Sequence, residues 1–219
     1  LMHPCFKKMA MLLTVIFGGL MAYAGVFYLF GEHVAILFSE RSIPTYFHHS
    51  TLELFFPIGS VIDGKESSLS NLPHIMRALF SYQSYIVVPF YFICLYPISH
   101  KRLWLVELLL ALLFAIGTAL VSEITSGRYS EGSLQNFGLS LTIIIGNLML
   151  LFIGLDLDKT LTPRLKKSSL WLGFIGLICV SITMVYPTLF SPILERISLY
   201  TIMIWEIIAP GYIMENTRK

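Results

Sequence analysis

The residues able to do chemistry gather in two places. The first is a run of titratable groups between two apolar stretches: His48, His49, Glu53, Asp63 and His74. Imidazoles and carboxylates exchange protons near neutral pH and hold metals. Glu123 and Glu131, with Arg128 between them, add two carboxylates in a later connection. Were the chain an enzyme, His48, His49, Glu53, Asp63, Glu123 and Glu131 would be its candidate acids and bases, since such groups must converge on one substrate. Their spacing argues for less. No HxxxH, HExxH, GxSG or paired-glutamate pattern occurs. A metal site needs three or four ligands at known spacings, so neither a metal nor a cofactor is expected. Ser50-Thr51-Leu52-Glu53 fits a capping box with Ser50 as N-cap. That places His49 ahead of the helix, so it need not share a face with Glu53.

The second place lies within the apolar runs. Glu206 follows Glu195 by eleven residues, ~16 Å along a helix, which is near mid-span. An acid at the bilayer centre costs roughly 2.5–3.5 kcal/mol on insertion scales. It must take up a proton, distort the bilayer or find a partner. Pro210, four residues on, removes the donor to the Glu206 carbonyl and weakens the helix there. Asn147, in the middle of another run, is the natural partner, with Ser181 or Thr183 as alternatives. Its ordinary role is interhelical bonding, worth about 0.6–2 kcal/mol. Glu107 lies near a span end and is expected to snorkel. Glu123, Glu131, Gln135 and Asn136 would floor an outward-facing pocket. The candidate ligand-binding residues are therefore Glu206, Asn147, Glu123 and Gln135.

Membrane spans must position these groups. Hydrophobic residues make up 56% of the 219 residues and charged residues 13%, with a mean hydropathy of +0.75. Soluble domains are about 25% charged. The net charge of +2 gives no support to a nucleic-acid partner. Three cysteines without a CxxC exclude a disulfide framework or a zinc site.

Six stretches reach the roughly 20 apolar residues a span needs: about 9–30, 81–98, 103–124, 136–155, 169–190 and 193–214. Placing the N-terminus inside puts ten Lys and Arg on inner segments and five on outer ones, as the positive-inside rule requires. The expected fold is all-α: one integral membrane domain, a polytopic bundle of six transmembrane helices. Both termini are in, and a long, partly apolar outer loop (31–80) follows the first span. Leu52 to Ile62 is too greasy for free solvation and should be at least half buried. Thr162-Pro163 and Ser191-Pro192 read as helix starts. Gly18, Ala22 and Gly25, then Gly173 and Gly176, mark faces where helices approach closely.

Glu195-Arg196-Ile197-Ser198-Leu199-Tyr200, running into Met203-Ile204-Trp205, resembles the start of the last span in a bacterial and archaeal family of six-span membrane proteins, domain of unknown function 998. The polar start of span four, ending in Gly154-Leu155-Asp156, and the long Ser-containing loop are similar too. Asn136 stands where that family's pattern has a histidine. The resemblance implies the six-span layout and a multi-pass protein of the prokaryotic inner membrane. It carries no activity.

The leading functional expectation is a non-enzymatic bundle that binds or moves a lipid or small hydrophobic molecule. The alternatives are an enzyme acting on a lipid or isoprenoid at the outer face, and a subunit or assembly factor of a larger membrane complex. Its partners would be membrane lipids, a small hydrophobic ligand, or another membrane protein. The topology has a direct check. A cysteine at Ser67 should react with impermeant reagent from outside, and one at Ser168 from inside. The opposite pattern reverses the bundle.

Overall fold

A computed structural model describes residues 4–39, 49–55, 60–62, 65–67, 72–123, 133–186 and 190–217. Six helices follow one another: α1 (Pro4–Leu37), α2 (Pro73–Phe90), α3 (Trp104–Glu123), α4 (Ser133–Asp156), α5 (Pro163–Val185) and α6 (Ser191–Thr217). Each contains a window long and apolar enough to cross a membrane, and the protein is a multi-pass membrane protein. A 3-10 turn (Thr51–Phe55) and a two-stranded antiparallel hairpin, Ser60–Ile62 against Lys65–Ser67, lie in the first connection. Helices dominate because a chain in lipid must satisfy its backbone internally.

Neighbours in sequence are neighbours in space, and α6 closes the ring by packing on α1. The α1–α6 register is antiparallel. A Cβ on Gly18 would sit 3.3 Å from the Pro210 Cβ, and one on Gly25 would run into the Met203 carbonyl oxygen. The glycines of α1 thus let two backbones touch, as their spacing predicts. Below, the "loop end" of the bundle is the end where α1 stops and α2 begins, and the opposite end is the "terminal end".

Two helix boundaries differ from the sequence expectation. α1 continues to Leu37, and α2 starts at Pro73, so the first connection is shorter than 31–80. Gly31 to Leu37 keeps a buried face, with Ala35 and Ile36 in the core. Glu32, which looked like the start of a loop, is buried and paired with an arginine of α6. The 34 residues of α1 give ~51 Å of helix, well over the ~30 Å hydrocarbon thickness. Proline suits the first position of α2 because the N–H it lacks would be unsatisfied there anyway. Farther along, past Pro89, α2 passes into a π turn at Tyr91–Leu95 and a 3-10 turn at Tyr96–Ile98.

The 3-10 turn is buried, with Leu54 and Phe55 in the core. It packs on α2, α4 and α6, and Phe55 meets Phe80 edge-on at 5.4 Å between centroids. The apolar part of the loop that falls among the described residues thus seals the loop end. Of the rest of the Leu52 to Ile62 stretch, residues 56–59 lie outside the described residues and 60–62 are described only as a strand of the hairpin.

Gly173 and Gly176 sit against α4. A Cβ on Gly176 would overlap the Asn147 side chain. Gly176→Ala should displace that amide and lower stability by about 1–3 kcal/mol, the usual range for overpacking. Thermal unfolding in nanodiscs measures it; a wild-type midpoint would contradict the packing.

Candidate functional site

The polar groups inside the bundle are organised around α6. Helix periodicity turns its residues toward different neighbours, and each polar side chain meets a partner on another element. At the loop end, Arg196 Nε lies 3.3 Å from Glu32 Oε1 of α1, with both side chains almost fully buried. Tyr200 Oη donates to Glu32 Oε2 at 2.6 Å. Beside them the Glu195 carboxylate accepts from Ser50 Oγ at 3.1 Å and from the Thr51 backbone N–H at 3.0 Å. These two bonds tie the 3-10 turn to α6. Ser50 Oγ is therefore committed to Glu195 as well as to the Leu52 N–H, at 3.4 Å. Glu53 turns to His49, whose Nδ1 lies 3.0 Å from Glu53 Oε2. Glu53 thus pairs with His49 and does not close the capping box, and the two side chains share a face.

One turn deeper, Asn147 of α4 donates to the Ser198 carbonyl oxygen at 2.9 Å and to its own helix at Ile143 O, 2.8 Å. Thr201 Oγ1 donates to Asn147 Oδ1 at 2.8 Å. Ser198 Oγ donates to the Gly176 carbonyl of α5 at 2.5 Å. Trp205 Nε1 donates to Ser169 Oγ of α5 at 2.7 Å. The amide of Asn147 is thus engaged through both its atoms, in the structural role that is ordinary for a buried asparagine.

Glu206 points inward and is fully buried, but its partner is not Asn147. Gln83 Nε2 of α2 donates to Glu206 Oε2 at 2.8 Å. Ser181 is exposed, and Thr183 Oγ1 returns to the Cys179 carbonyl of its own helix at 3.0 Å. Gln83 escaped the sequence reading, although a signal was there. It shares a helical face with Met76, Phe80, Val87 and Phe90, all buried, a pattern of i, i+3, i+4 and i+7 that marks the inward stripe.

Toward the terminal end, Glu107 does not snorkel. It is buried, and Tyr91 Oη donates to its Oε2 at 2.8 Å while lying 3.1 Å from the Trp104 carbonyl. The π turn presents Tyr91 to this position. Asp156, also buried, accepts from the Arg102 N–H at 3.2 Å. Beyond it, Asp158 accepts from the Thr160 hydroxyl and N–H, both at 2.7 Å. Those bonds hold the Asp158 carboxyl below its ordinary range.

The candidate acids and bases are not shown to converge. His49 and Glu53 come together; His74 stands exposed on α2. His48, Asp63 and Glu131, and the side chain of Glu123, lie outside the described residues. No group of three metal-ligating side chains occurs among the described residues. Gln135 is buried, and its Nε2 donates to the Val121 carbonyl of α3 at 3.2 Å.

A groove of about 220 Å³ does lie at the loop end, between α4, α5 and the start of α6. Leu139, Ile143 and Val180 form its buried floor, while Asn136, Ser140 and Met184 stand on its exposed rim. Glu195 reaches it from α6. Asn136, one of the four residues expected at an outward-facing pocket, lines this groove. A second, larger hollow of about 490 Å³ at the terminal end, beside Thr160, Arg164, Tyr212 and Glu215, is bridged by the exposed Arg164–Glu215 pair at 3.5 Å.

The fold and site together define a six-helix integral membrane protein with a buried polar network centred on its last helix. No protein family, no curated protein and no solved structure matches the chain.

Removing one member of a buried ion pair leaves the other uncompensated, at about 3–5 kcal/mol. Arg196→Met should therefore destabilise the bundle by that amount, and Arg196→Lys by less, because charge is kept and only the fork is lost. Chemical unfolding in mixed micelles ranks the two; equal losses would mean that the charge is not what counts.

Proposed function

We propose that the protein binds or moves a lipid or another small hydrophobic molecule through the groove at its loop end. The carrying observation is that groove: an apolar floor of Leu139, Ile143 and Val180 beneath a rim that includes the polar side chains of Asn136 and Ser140. The rim lies on the perimeter of the bundle, where Met184, Val185 and Phe137 are exposed. A ligand could therefore come from the bilayer without crossing the polar network. At about 220 Å³ the groove falls below the ~300–1,000 Å³ of pockets that enclose a drug-sized molecule. The occupant fits by one end only, with the rest of its chain left in lipid. An amphiphile has that shape, and Asn136 and Ser140 are placed to meet its polar end.

The positive-inside count puts the loop end outside the cell membrane, and a prokaryotic inner membrane is the proposed location. Membership of the domain of unknown function 998 family is proposed on the Glu195–Trp205 stretch alone and adds no activity. The enzyme reading rests on His49 and Glu53, the two candidate side chains among the described residues, which meet at 3.0 Å.

The test is to fill the groove. Val180→Trp should leave the helices intact by circular dichroism. It should weaken binding of a spin-labelled or photoactivatable acyl amphiphile by about tenfold or more, equivalent to 1.4 kcal/mol. Unchanged binding with an intact fold would remove the groove from the function.

A further inference from the structure

We infer that Glu206 and Gln83 form a proton-binding site at the centre of the bundle, holding one exchangeable proton between the Glu206 carboxyl and the Gln83 amide oxygen. The argument is a count of donors and acceptors. Both side chains are fully buried. The Gln83 amide has two N–H bonds. Its nitrogen lies 2.8 Å from Glu206 Oε2 and 3.2 Å from the Met203 sulfur. Two acceptors are left over. Glu206 Oε1 and Gln83 Oε1 are both buried, and neither has a hydrogen-bond partner. A buried polar atom without a partner costs roughly 1–3 kcal/mol, and here two belong to one bonded pair. One added proton resolves both. A protonated carboxyl becomes a donor as well as an acceptor. Placed on Glu206 Oε1 and turned to Gln83 Oε1, it closes a two-bond ring of acid and amide, with no net charge in the core.

The surroundings offer no other compensation. On α6 itself, Arg196 is ten residues away, ~15 Å along the helix, and is paired with Glu32. α1 meets Glu206 at Gly25; of its nearest titratable groups Tyr23 is exposed and packs on Phe27 and Tyr82, while Tyr28 and Glu32 lie one and two turns toward the loop end. α2 carries Tyr82 beside Gln83 and Arg77 six residues toward the loop end, ~9 Å along the helix; Tyr91 of the π turn is bound to Glu107 of α3. α4 offers Asn147, already engaged, and α5 offers Cys179. The hydrogen-bonding side chain that reaches Glu206 is Gln83. Release of the proton would leave a bare carboxylate beside an amide oxygen, and α6 is built to yield there. Pro210 withholds the backbone donor of the Glu206 carbonyl, and the α1–α6 contact rests on the absent side chain of Gly25. The site therefore links one proton to the fit of α6 against α2, whatever occupies the groove.

Infrared difference spectra of the whole protein in nanodiscs, between mildly acidic and alkaline buffer, test this. Wild type should show a protonated-carboxyl band that is lost on the alkaline side. In Glu206→Gln that band should vanish while the protein stays folded, because an amide reproduces the neutral acid and pairs with Gln83 through two hydrogen bonds. In Gln83→Leu the band should shift to higher frequency as its partner is lost. A band that survives Glu206→Gln places the proton on another acid. An unshifted band in Gln83→Leu breaks the pairing. Failure of Glu206→Gln to fold shows that a neutral amide cannot stand in for this group. Each of these three results overturns the proposal.

Discussion

Lipid offers no hydrogen bonds, so the buried polar side chains of α6 look to other elements of the bundle for partners. That constraint organises the molecule. Arg196 and Tyr200 meet α1, Glu195 meets the 3-10 turn, Ser198 and Thr201 meet α4, Ser198 and Trp205 meet α5, and Glu206 meets α2. Five partner elements are thereby fixed in angle and depth against one helix. In water, each bond would compete with solvent and contribute little. In the bundle, the alternative to each is an unsatisfied polar atom in hydrocarbon.

Packing supplies what the polar network cannot. Hydrophobic burial gives no drive between helices already in lipid, so close contact must. The glycines are placed accordingly. Gly25 admits the backbone of α6, and Gly176 admits the side chain of Asn147. The polar partners are brought into reach by the same contacts. Asn147 bonds to Ser198 because α5 leaves room beside it, and Glu206 lies beside α1 because Gly25 has no side chain. Only Ile197, Ile204 and Gly211 are exposed within the interior of α6, at seven-residue spacing, so its lipid-facing strip is narrow.

The six spans were legible because membrane insertion demands a composition that no soluble core needs, and the glycine faces were legible from spacing. The inward aim of Glu206 followed from its depth alone. Other features depended on partners remote in sequence. Glu32 fell outside the expected first span of 9–30; its arginine lies 164 residues away. Glu107 looked like a snorkelling residue until the π turn brought Tyr91 to it. Asn147 was paired with Glu206 by depth, but helix rotation aims it at Ser198 and Thr201 instead. Gln83, a buried amide like Asn147, was not among the candidate residues. Its place on the buried stripe of α2 was visible in the pattern all along.

The arrangement also bears on how such a chain assembles. α6 comes sixth in chain order, and its apolar window has the lowest mean hydropathy of the six, 1.4. Glu195, Arg196 and Glu206 make it the span least suited to stand alone in lipid. The five earlier helices, meanwhile, emerge with Glu32, Gln83, Asn147 and Ser169 still lacking what α6 provides. Each half is therefore poorly soluble in the bilayer without the other. The wedge and its slot have to be kept from wrong partners between translation of Pro163 and Thr217, and a bundle stalled in that interval would display several buried-type polar groups on one open seam, a mark that membrane quality control can read.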